Sequence, residues 1–392
     1  MNRFQEKVKP GAIIIEGHVQ GLSNTRSLGE NGIPVYVIDK NNSVARYSKY
    51  CRKFFYCPDY LSEDFIPFLI QLAQKENLKG WTLIPSNDHA VYSLSRNKKE
   101  LEKYYKVSSP DLHILENIYD KVKLLAKAKE CGIPVPLTYL FDNSGKLNTM
   151  DLNFPLITKG RYGLTFYKAT GSKVLLSENE QQLRQNFALI NLYGIDNTFT
   201  QEMIPSDGRN KTISFTAFCV NGIIKAHWTG VKLREHPLQF GTATFAESIF
   251  NQQCYNQSVI LLRSLYFTGV CEVEYLYDPR SDQYKLIEIN ARTWLWVGLA
   301  KACGVDYATI IYNHYNSIKN DFPDKYLSGI KWVNYLTDFV FSLKALMKGK
   351  LIFGNYLSSF KGKKVYAVFS LNDILPGLMF LFMALYILRK RR

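Results

Sequence analysis

The side chains best suited to chemistry lie in one predicted β-hairpin. Residues 270–277 and 284–289 are rich in strand-forming side chains, and the turn-like segment DPRSD at 278–282 separates them. Carboxylates lie among apolar residues near the end of each strand, Glu272 and Glu274 on the first and Glu288 on the second. If the strands pair, Glu274 and Glu288 would lie close together.

Two further polar residues follow Glu288 in phase. Asn290 is two residues further along, so it faces the same side of the strand, and Arg292 continues the series. Oxygen ligands of this type hold Mg²⁺, usually together with nucleotide phosphates, and an arginine can contact a phosphoryl oxygen. The alternative is a surface hairpin with solvated acids. The metal site is favoured because Glu274, Glu288, Asn290 and Arg292 share one phase.

Composition limits the class of protein. The 392-residue chain suits two or three domains, and its net charge is +15. Residues 319–392 contain 13 Lys and Arg against 4 Asp and Glu, so the basic excess is concentrated at one end. This asymmetry favours an acidic partner or a membrane surface for the tail. No nucleic-acid-binding pattern is present, so no nucleic-acid partner is expected.

The seven cysteines and the first residues indicate the compartment. No two cysteines have C-x-x-C spacing, which favours reduced thiols in a cytoplasmic protein over a zinc site or a disulfide frame. The N-terminal residues lack the pattern of a signal peptide. We therefore expect a cytoplasmic protein.

The first 115 residues predict a parallel α/β domain. A short apolar strand at 12–15, a helix at 23–31 and a strand at 34–39 form a βαβ unit. The connecting loop at 16–22 departs from a dinucleotide-binding glycine pattern. We therefore expect a Rossmann-like domain that could hold part of an acceptor substrate above its strand ends.

Two lysines in the middle of the chain suit a polyphosphate. Lys121 opens a predicted helix, and Lys159 ends a strand before a predicted loop with glycines at 160, 163 and 171. A lysine beside such a loop can neutralise phosphate charge. Without Lys159, an exposed lysine in a first helical turn would be the simpler reading of Lys121.

The ordered set of motifs resembles a known family. In chain order these are DK at 120–121, GIPVP, FPLITKG, QEMIP, an Asn-Gly hairpin turn, CEVEYLYD and IEINART. The set resembles the ATP-grasp carboxylate–amine ligases, especially the branch related to D-aspartate ligase and the carbamoyl-phosphate synthase large subunit. The resemblance covers about residues 11 to 315. It implies an ATP-grasp fold preceded by a Rossmann-like α/β domain.

The resemblance also implies roles for individual residues. Lys121 and Lys159 would contact the phosphates of ATP, and Gln201, Glu202 and Ile204 would line the adenine pocket. Glu274 and Glu288 would bridge Mg²⁺ or Mn²⁺ ions, Asn290 would complete a metal site, and Arg292 would steady the phosphoryl group or the substrate carboxylate. Gln201 stands where many relatives carry Glu, and the predicted phosphate loop is bulkier than is usual in the family.

Two basic residues on a predicted strand and loop have open roles. Lys232 and Arg234 precede a loop that leads back toward the site and carries Gly241. We expect both to contact substrate or phosphate; the alternative is a solvated loop.

The last predicted unit is a basic, apolar tail. The predicted divisions are a Rossmann-like domain at 1–115, grasp lobes at 116–195 and 196–320, and a helical tail at 321–392. Apolar residues at helical spacing in 332–347 suit either packing on the body or a membrane contact. The terminal run 378–388 is shorter than the roughly 20 residues of a spanning helix and ends in RKRR. It suggests an anchor on the anionic inner face of the membrane, with a buried terminal helix as the alternative.

Together these patterns predict an ATP-dependent ligase. It would join a carboxylate to an amine, such as an amino acid, through an acyl phosphate, and it would release ADP and phosphate. The expected acceptor is a cell-envelope or polysaccharide precursor. The alternatives are a ligase for free small metabolites and a non-catalytic, membrane-associated scaffold. The sequence gives no expectation for the oligomeric state.

Overall fold

Three β-sheets form the framework of the protein. The computed structural model describes residues 10–141, 152–205, 211–236, 241–349 and 351–390. In chain order, the sheets contain five, four and seven strands. The mixed α/β architecture with a parallel sheet, expected from the sequence, is confirmed; the four domain boundaries stay predictions.

The first sheet is parallel throughout and has the order β3-β2-β1-β4-β5. Its strands are β1 (Ala12–Ile15), β2 (Val35–Asp39), β3 (Cys51–Tyr56), β4 (Trp81–Pro85) and β5 (Tyr105–Val107). Its helices are α1 (Val19–Glu30), α2 (Phe65–Lys75), α3 (Asp88–Arg96) and α4 (Lys98–Leu101), with a 3₁₀ turn at Val44–Tyr47. Parallel order brings the carboxyl ends of β1, β2 and β4 to one edge, where residues 16, 39 and 86–88 meet.

Helix α1 begins earlier than the sequence suggested. It starts at Val19 rather than Ser23, so the expected loop at 16–22 is partly helical. The reason is Gly21, which looked like a loop residue but lies against the carbonyl oxygen of Glu16, where a Cβ would clash. The glycine therefore permits close helix–strand packing.

The second sheet has the order β6-β9-β7-β8. Two helices, α5 (Leu112–Tyr119) and α6 (Lys121–Glu130), lead into it. It contains β6 (Thr138–Tyr139), β7 (Leu156–Gly160), α7 (Gly163–Thr170), β8 (Leu175–Ser177), α8 (Glu180–Tyr193), a 3₁₀ turn at Ile195–Asn197 and β9 (Thr198–Glu202).

The prediction of a glycine-containing loop after Lys159 is wrong. Residues 163–170 form α7, and Gly171 ends this helix with a left-handed φ of 70°. The helix forms because Phe166 is fully buried against Leu175 and Ile190. Its two flanking glycines therefore bound a helix instead of shaping a phosphate loop.

The third sheet has the order β14-β13-β10-β11-β12-β15-β16. Its strands are β10 (Thr212–Val220), β11 (Ile223–His236), β12 (Thr242–Ile249), β13 (Gly269–Asp278), β14 (Gln283–Asn290), β15 (Lys331–Val333) and β16 (Lys364–Tyr366). The helices in this part are α9 (Gln252–Ser264), α10 (Val297–Ala302) and α11 (Tyr307–Tyr315). The hairpin turn predicted at Asn221-Gly222 joins β10 to β11, with positive φ at both residues.

Both faces of the third sheet are covered. One face shares a core with the first sheet, in which Ile14 and Val37 join Trp228, Trp294 and Trp332. The other face has its own core under α5, α6 and α9. The second sheet has small separate cores drawn from its own residues.

The tail is more mixed than the helical tail expected from the sequence, which is not confirmed. It has three helices, α12 (Tyr335–Met347), α13 (Phe353–Ser359) and α14 (Leu375–Lys390). However, β15 and β16 extend the third sheet. Strand β12 would otherwise be its edge, so its free side pairs with β15, and β15 in turn pairs with β16. Within the described residues, no helix is long and apolar enough to cross a membrane.

One buried acid ties the tail to the first sheet. Asp373 is 4% exposed and accepts hydrogen bonds from Arg26 Nε at 2.9 Å, Ser48 Oγ at 2.7 Å and the Lys49 amide at 2.9 Å. The chain therefore returns from the far edge of the third sheet to its own first domain before α14 begins.

Candidate active site

The predicted acidic hairpin forms at one edge of the third sheet. Strands β13 and β14 pair antiparallel, with Glu274 directly opposite Glu288 and Glu272 opposite Asn290. A bulge follows Glu274 and shifts the register of the remaining pairs. The structure therefore brings Glu274, Glu288 and Asn290 to neighbouring positions, as the sequence predicted.

Each of the two opposed acids has its own lysine. Lys121, the first residue of α6, forms an ion pair with Glu288. Lys232 of β11, two strands away from β13 in the same sheet, has its Nζ 2.9 Å from Glu274 Oε2. Lys232, whose role the sequence left open, is thus in the acidic cluster.

A second ion pair fixes the start of α6. Asp120 caps this helix by accepting the Val122 amide at 3.0 Å. The same carboxylate accepts Arg161 Nε at 3.0 Å and Arg161 Nη2 at 2.5 Å, and the Lys121 amide donates to the Arg161 carbonyl at 3.2 Å. Because Arg161 follows β7 directly, these bonds hold Lys121 beside the end of β7, where Lys159 lies.

Lys159 adds a third cation to the cluster. Its Nζ donates to Gln201 Oε1 at 3.1 Å, and Gln201 Nε2 donates to Thr138 Oγ1 at 3.0 Å. Burial and, to a smaller extent, the nearby charge of Lys121 lower the pKa of Lys159 to about 8, although the charge of Glu288 opposes the shift. An anion placed beside the two lysines would remove their mutual repulsion.

The other residues predicted for the adenine pocket are on or just after β9. The Glu202 carboxylate accepts hydrogen bonds from Arg280 Nη2 and Lys285 Nζ, both at 2.7 Å. Ile204 is buried, at 5% exposure. The Glu202 side chain therefore joins β9 to the hairpin, and its role in nucleotide binding stays a prediction, as does that of Ile204.

Glu272 is the third acid of the hairpin, which the sequence analysis noted but did not assign to the metal site. It is 3% exposed, and Asn290 Nδ2 donates to its Oε2 at 3.1 Å. Burial raises the pKa of Glu272, and the charge of Glu274 raises it further. Its Oε1 has no hydrogen-bond partner among the described residues. Its position directly opposite Asn290 places it beside the predicted metal ligands.

Arg292 has a partner that the sequence did not indicate. Its Nε and Nη2 lie 2.8 and 2.9 Å from the two carboxylate oxygens of Asp88, the first residue of α3. Its Nη2 also lies 3.4 Å from Asn290 Oδ1. The predicted site therefore extends from the third sheet to the edge of the first sheet.

The same edge of the first sheet carries an acid in a strained backbone conformation, Glu16. Glu16 has a positive φ of 73°, and its carboxylate accepts Gln20 Nε2 at 2.9 Å and Asn87 Nδ2 at 3.1 Å. Burial raises the pKa of Glu16 to about 7, with Asp39 adding to the effect. An unfavourable backbone conformation at a strand end often marks a functional position.

Arg234 lies outside this cluster. Its Nε and Nη2 contact the Asp338 carboxylate at 2.8 and 2.7 Å, and its Nη1 donates to Ser359 Oγ at 2.8 Å. The strand is irregular between Lys232 and Arg234, which redirects the second side chain toward the tail. The substrate or phosphate contact predicted for Arg234 therefore does not correspond to its partners in the structure.

The acidic hairpin fits a magnesium ion held jointly with phosphates. Within the described residues, no group of three or more His, Cys, Asp or Glu side chains is arranged to hold a metal alone. Two opposed carboxylates, an adjacent amide and an unpartnered oxygen on Glu272 are nevertheless present. Mg²⁺ commonly takes one or two carboxylates and completes its shell with phosphate oxygens and water. The donor set therefore fits a metal that arrives with a nucleotide.

These sheets and this hairpin define the ATP-grasp fold, and comparison with known proteins confirms the resemblance drawn from the sequence. Residues 241–312, which include β13 and β14, match the family described as carbamoyl-phosphate synthase L chain, ATP binding domain. The match includes Glu274, Glu288, Asn290 and Arg292.

Individual relatives agree with this assignment. The chain is 22% identical over 242 residues to a D-aspartate ligase of Enterococcus faecium, covering 58% of each protein. It shares its fold with biotin carboxylase from Campylobacter jejuni, at a TM-score of 0.64, 16% identity and coverage of 82% of this chain and 74% of that one. An L-amino acid ligase from Bacillus licheniformis gives a TM-score of 0.59 at 12% identity, with coverage of 79% and 75%. The chain thus spans little more than half of the curated relative that it matches.

Proposed function

We propose that this protein is an ATP-dependent ligase that joins a carboxylate to an amine and releases ADP and phosphate. The observation that carries the proposal is the pairing of Glu274 with Glu288 across the hairpin, each acid with its own lysine. Alternating acids and lysines at one place suit a metal-bound polyphosphate. The names of the relatives, D-aspartate ligase and L-amino acid ligase, support the same reaction class.

The residues would divide between metal and nucleotide. Glu274, Glu288 and Asn290 would hold Mg²⁺, which supplies charge neutralisation for the phosphates when bound. Lys121 and Lys159 would then contact phosphate oxygens, so that Lys121 exchanges its Glu288 partner for the nucleotide. Gln201, Glu202 and Ile204 would lie against the adenine.

The chain would act mainly by positioning. Lys159 and Lys121 orient the γ-phosphoryl group toward the substrate carboxylate, and one carboxylate oxygen attacks phosphorus as the bond to ADP breaks. Arg292 stabilises charge on the phosphoryl oxygens or on the substrate carboxylate. The amine then attacks the acyl carbon, phosphate leaves, and the nitrogen loses a proton. Enclosure of the acyl phosphate between the sheets would limit its hydrolysis.

The amine would bind near the edge of the first sheet. Glu16, Asp39 and Asp88 place three carboxylates around this edge, a suitable environment for an ammonium group. Asp88 also holds Arg292, so the amine pocket and the acyl phosphate would be adjacent. The amine itself would be an amino acid.

The acceptor would be a carboxylate on a cell-envelope or polysaccharide precursor. The basic, apolar tail supports this view, because residues 319–392 carry 13 Lys and Arg against 4 Asp and Glu. Such a tail would keep the protein peripheral on the inner face of the cytoplasmic membrane, with α14 as one contact.

Measurement of ADP release tests the ligase proposal. Purified protein would be incubated with Mg²⁺-ATP, single amino acids and extracts of cell-envelope precursors. We expect release that requires both an amine and a carboxylate, and at least a hundredfold loss in Glu288→Gln. The matched control is Glu180→Gln on α8, an exposed glutamate that pairs with Arg184. Full activity of Glu288→Gln, or no ATP binding by the wild-type protein, would refute the proposal.

A further inference from the structure

Helix α12 buries polar side chains and exposes apolar ones, which is the reverse of an ordinary surface helix. Its fully buried side chains are polar, Asp338 and Ser342. Three of its large apolar side chains face outward, with Phe339 at 58%, Leu343 at 46% and Met347 at 80% exposure. These three lie four residues apart and so share one side of the helix. A helix that only packed on the body would bury this side and expose the other.

The orientation of α12 is fixed by its polar side. Asp338 is 1% exposed and receives two hydrogen bonds from Arg234 and one from Thr244 Oγ1 at 2.9 Å. The Arg234 guanidinium also lies over the Phe245 ring at 4.1 Å. Rotating the apolar side inward would break this buried ion pair, so the exposure of Phe339, Leu343 and Met347 is held in place.

The next helix repeats the pattern. No residue of α13 is buried, and Ile352, Phe353 and Leu357 are 68%, 62% and 55% exposed. Lys331 Nζ donates to the Ser359 carbonyl at 2.9 Å and holds the end of α13 against β15. Arg234, which contacts both Asp338 and Ser359, joins α12 and α13 into one unit.

Within residues 335–392, the charged side chains outside buried ion pairs are all basic. Residues 335–392 contain ten Lys and Arg, two Asp and no Glu. Both acids, Asp338 and Asp373, are buried and paired with arginines. Lys344 on α12 and Lys348, directly after its last residue, are exposed beside the apolar residues. Outward-facing acids, which would repel an anionic surface, are therefore missing from this part of the sequence.

We propose that α12 and α13 form a docking surface for an anionic lipid bilayer, with Phe339, Leu343, Met347, Ile352, Phe353 and Leu357 entering the interface. Apolar side chains flanked by lysines fit this occupant, because the acyl boundary accepts the first and anionic headgroups attract the second. The proposal deepens the membrane location proposed above, assigning it to an inverted helix pair in addition to the terminal run.

Sedimentation with vesicles tests the surface directly, and it needs neither ATP nor catalysis. The full chain would be mixed with vesicles of equal parts phosphatidylglycerol and phosphatidylcholine, and with vesicles of phosphatidylcholine alone. We expect binding to the anionic vesicles that weakens with added salt. Reversing Lys344 and Lys348 to Glu should lower the binding constant at least about twentyfold. The charge-matched control reverses Lys99 and Lys103, which are exposed in the first domain.

The apolar contribution needs its own variant. Phe339→Ser with Met347→Ser should lower vesicle binding at least about tenfold, whereas Leu192→Ser, at 73% exposure on α8, should leave it unchanged. Thermal unfolding of each variant would check that the fold is intact.

The outcomes separate this inference from the ligase proposal. Unchanged binding in the α12 variants, with loss only when Leu378 and Phe382 of α14 are changed, would overturn the α12–α13 surface but leave the terminal anchor. Dimerisation without lipid that Phe339→Ser abolishes would also overturn it. Glu288→Gln should bind vesicles like the wild-type protein, so failure of the ligase assay has no bearing on this result.

Discussion

Asp88 and Arg292 form a two-point ion pair, at 2.8 and 2.9 Å, between residues that are 204 positions apart in the chain. Asp88 begins α3 of the first sheet, whereas Arg292 follows the acidic hairpin of the third sheet. A guanidinium held at two atoms has one orientation. The first domain therefore sets the direction of the arginine that the ligase proposal places at the reacting groups.

Replacing Asp88 by Asn should lower ligase kcat/KM about ten- to a hundredfold, because a small displacement of a positioning group costs that much. Binding of ATP in a thermal-shift titration should be nearly unchanged, since Asp88 lies at the edge proposed to bind the amine. Asp111→Asn, which removes an exposed partner of Lys98, serves as the control. Equal losses in ATP binding and in kcat/KM would contradict a positioning role.

The metal assignment predicts a change in magnesium requirement. Glu274→Gln should raise the Mg²⁺ concentration for half-maximal ADP release at least about tenfold, because one anionic ligand is lost. Chelation with EDTA should stop the wild-type reaction, and added Mg²⁺ should restore it. The exposed Glu130 on α6, changed to Gln, should show the wild-type Mg²⁺ dependence. An unchanged dependence in Glu274→Gln would remove this residue from the metal site.

We expect the stability of the protein to fall at acidic pH because of Asp278, at the turn of the acidic hairpin. Burial alone would raise the pKa of Asp278, but hydrogen bonds from Arg280 and Lys285 hold it well below its usual range. Because the folded pKa is the lower one, the stabilisation is present above the unfolded value of about 3.9 and is lost as the pH falls below it. The free energy of unfolding should therefore decrease below about pH 4.

The variant Asp278→Asn separates this residue from other acids. This variant should lower the free energy of unfolding by about 1–3 kcal/mol at neutral pH. The loss is smaller than for a fully buried ion pair because Arg280 is 45% exposed. Its denaturation curves should depend less on pH below about pH 4 than those of the wild-type protein. Asp282→Asn, at the exposed end of the same turn, should keep the wild-type pH dependence.

The β10–β11 turn predicts a position that requires glycine. Gly222 has a φ of 77°, and an added Cβ would lie 2.9 Å from the Arg263 Cα. Gly222→Ala should therefore cost more than the roughly 1–2 kcal/mol of the left-handed conformation alone. Gly32→Ala, at φ 72° with no atom within 4 Å, isolates the conformational part. Equal losses in urea denaturation would mean that the contact with α9 is unimportant.

Local patterns predicted the parts of the site that are close in sequence. The strands holding Glu274 and Glu288 are joined by a short turn, so alternation along each strand was enough to place both acids on one side. The Asn221-Gly222 turn likewise carries its own conformational signal. In both hairpins, the partner strand is the next one along the chain.

The remaining contacts depend on sequence-distant packing. No local pattern links Arg292 to Asp88 or Arg234 to Asp338, because each pair forms only when separate elements meet. The irregularity in β11 also changes the direction of Arg234, which strict alternation would have aligned with Lys232. At 163–170, burial of Phe166 favours a helix where glycines alone suggested a loop.

The contacts of Asp373 with the first domain indicate which part of the protein could move when a nucleotide enters. The first and third sheets share one core, and Asp373 fastens the chain beyond β16 back onto Arg26 and Ser48. These two sheets are thereby held as a single block. The four-stranded sheet has cores of its own and reaches the block through the ion pairs of Glu202 on β9 with Arg280 and Lys285. We therefore expect the four-stranded sheet to be the part that moves to admit ATP, with the ion pairs of Glu202 separating as it does so.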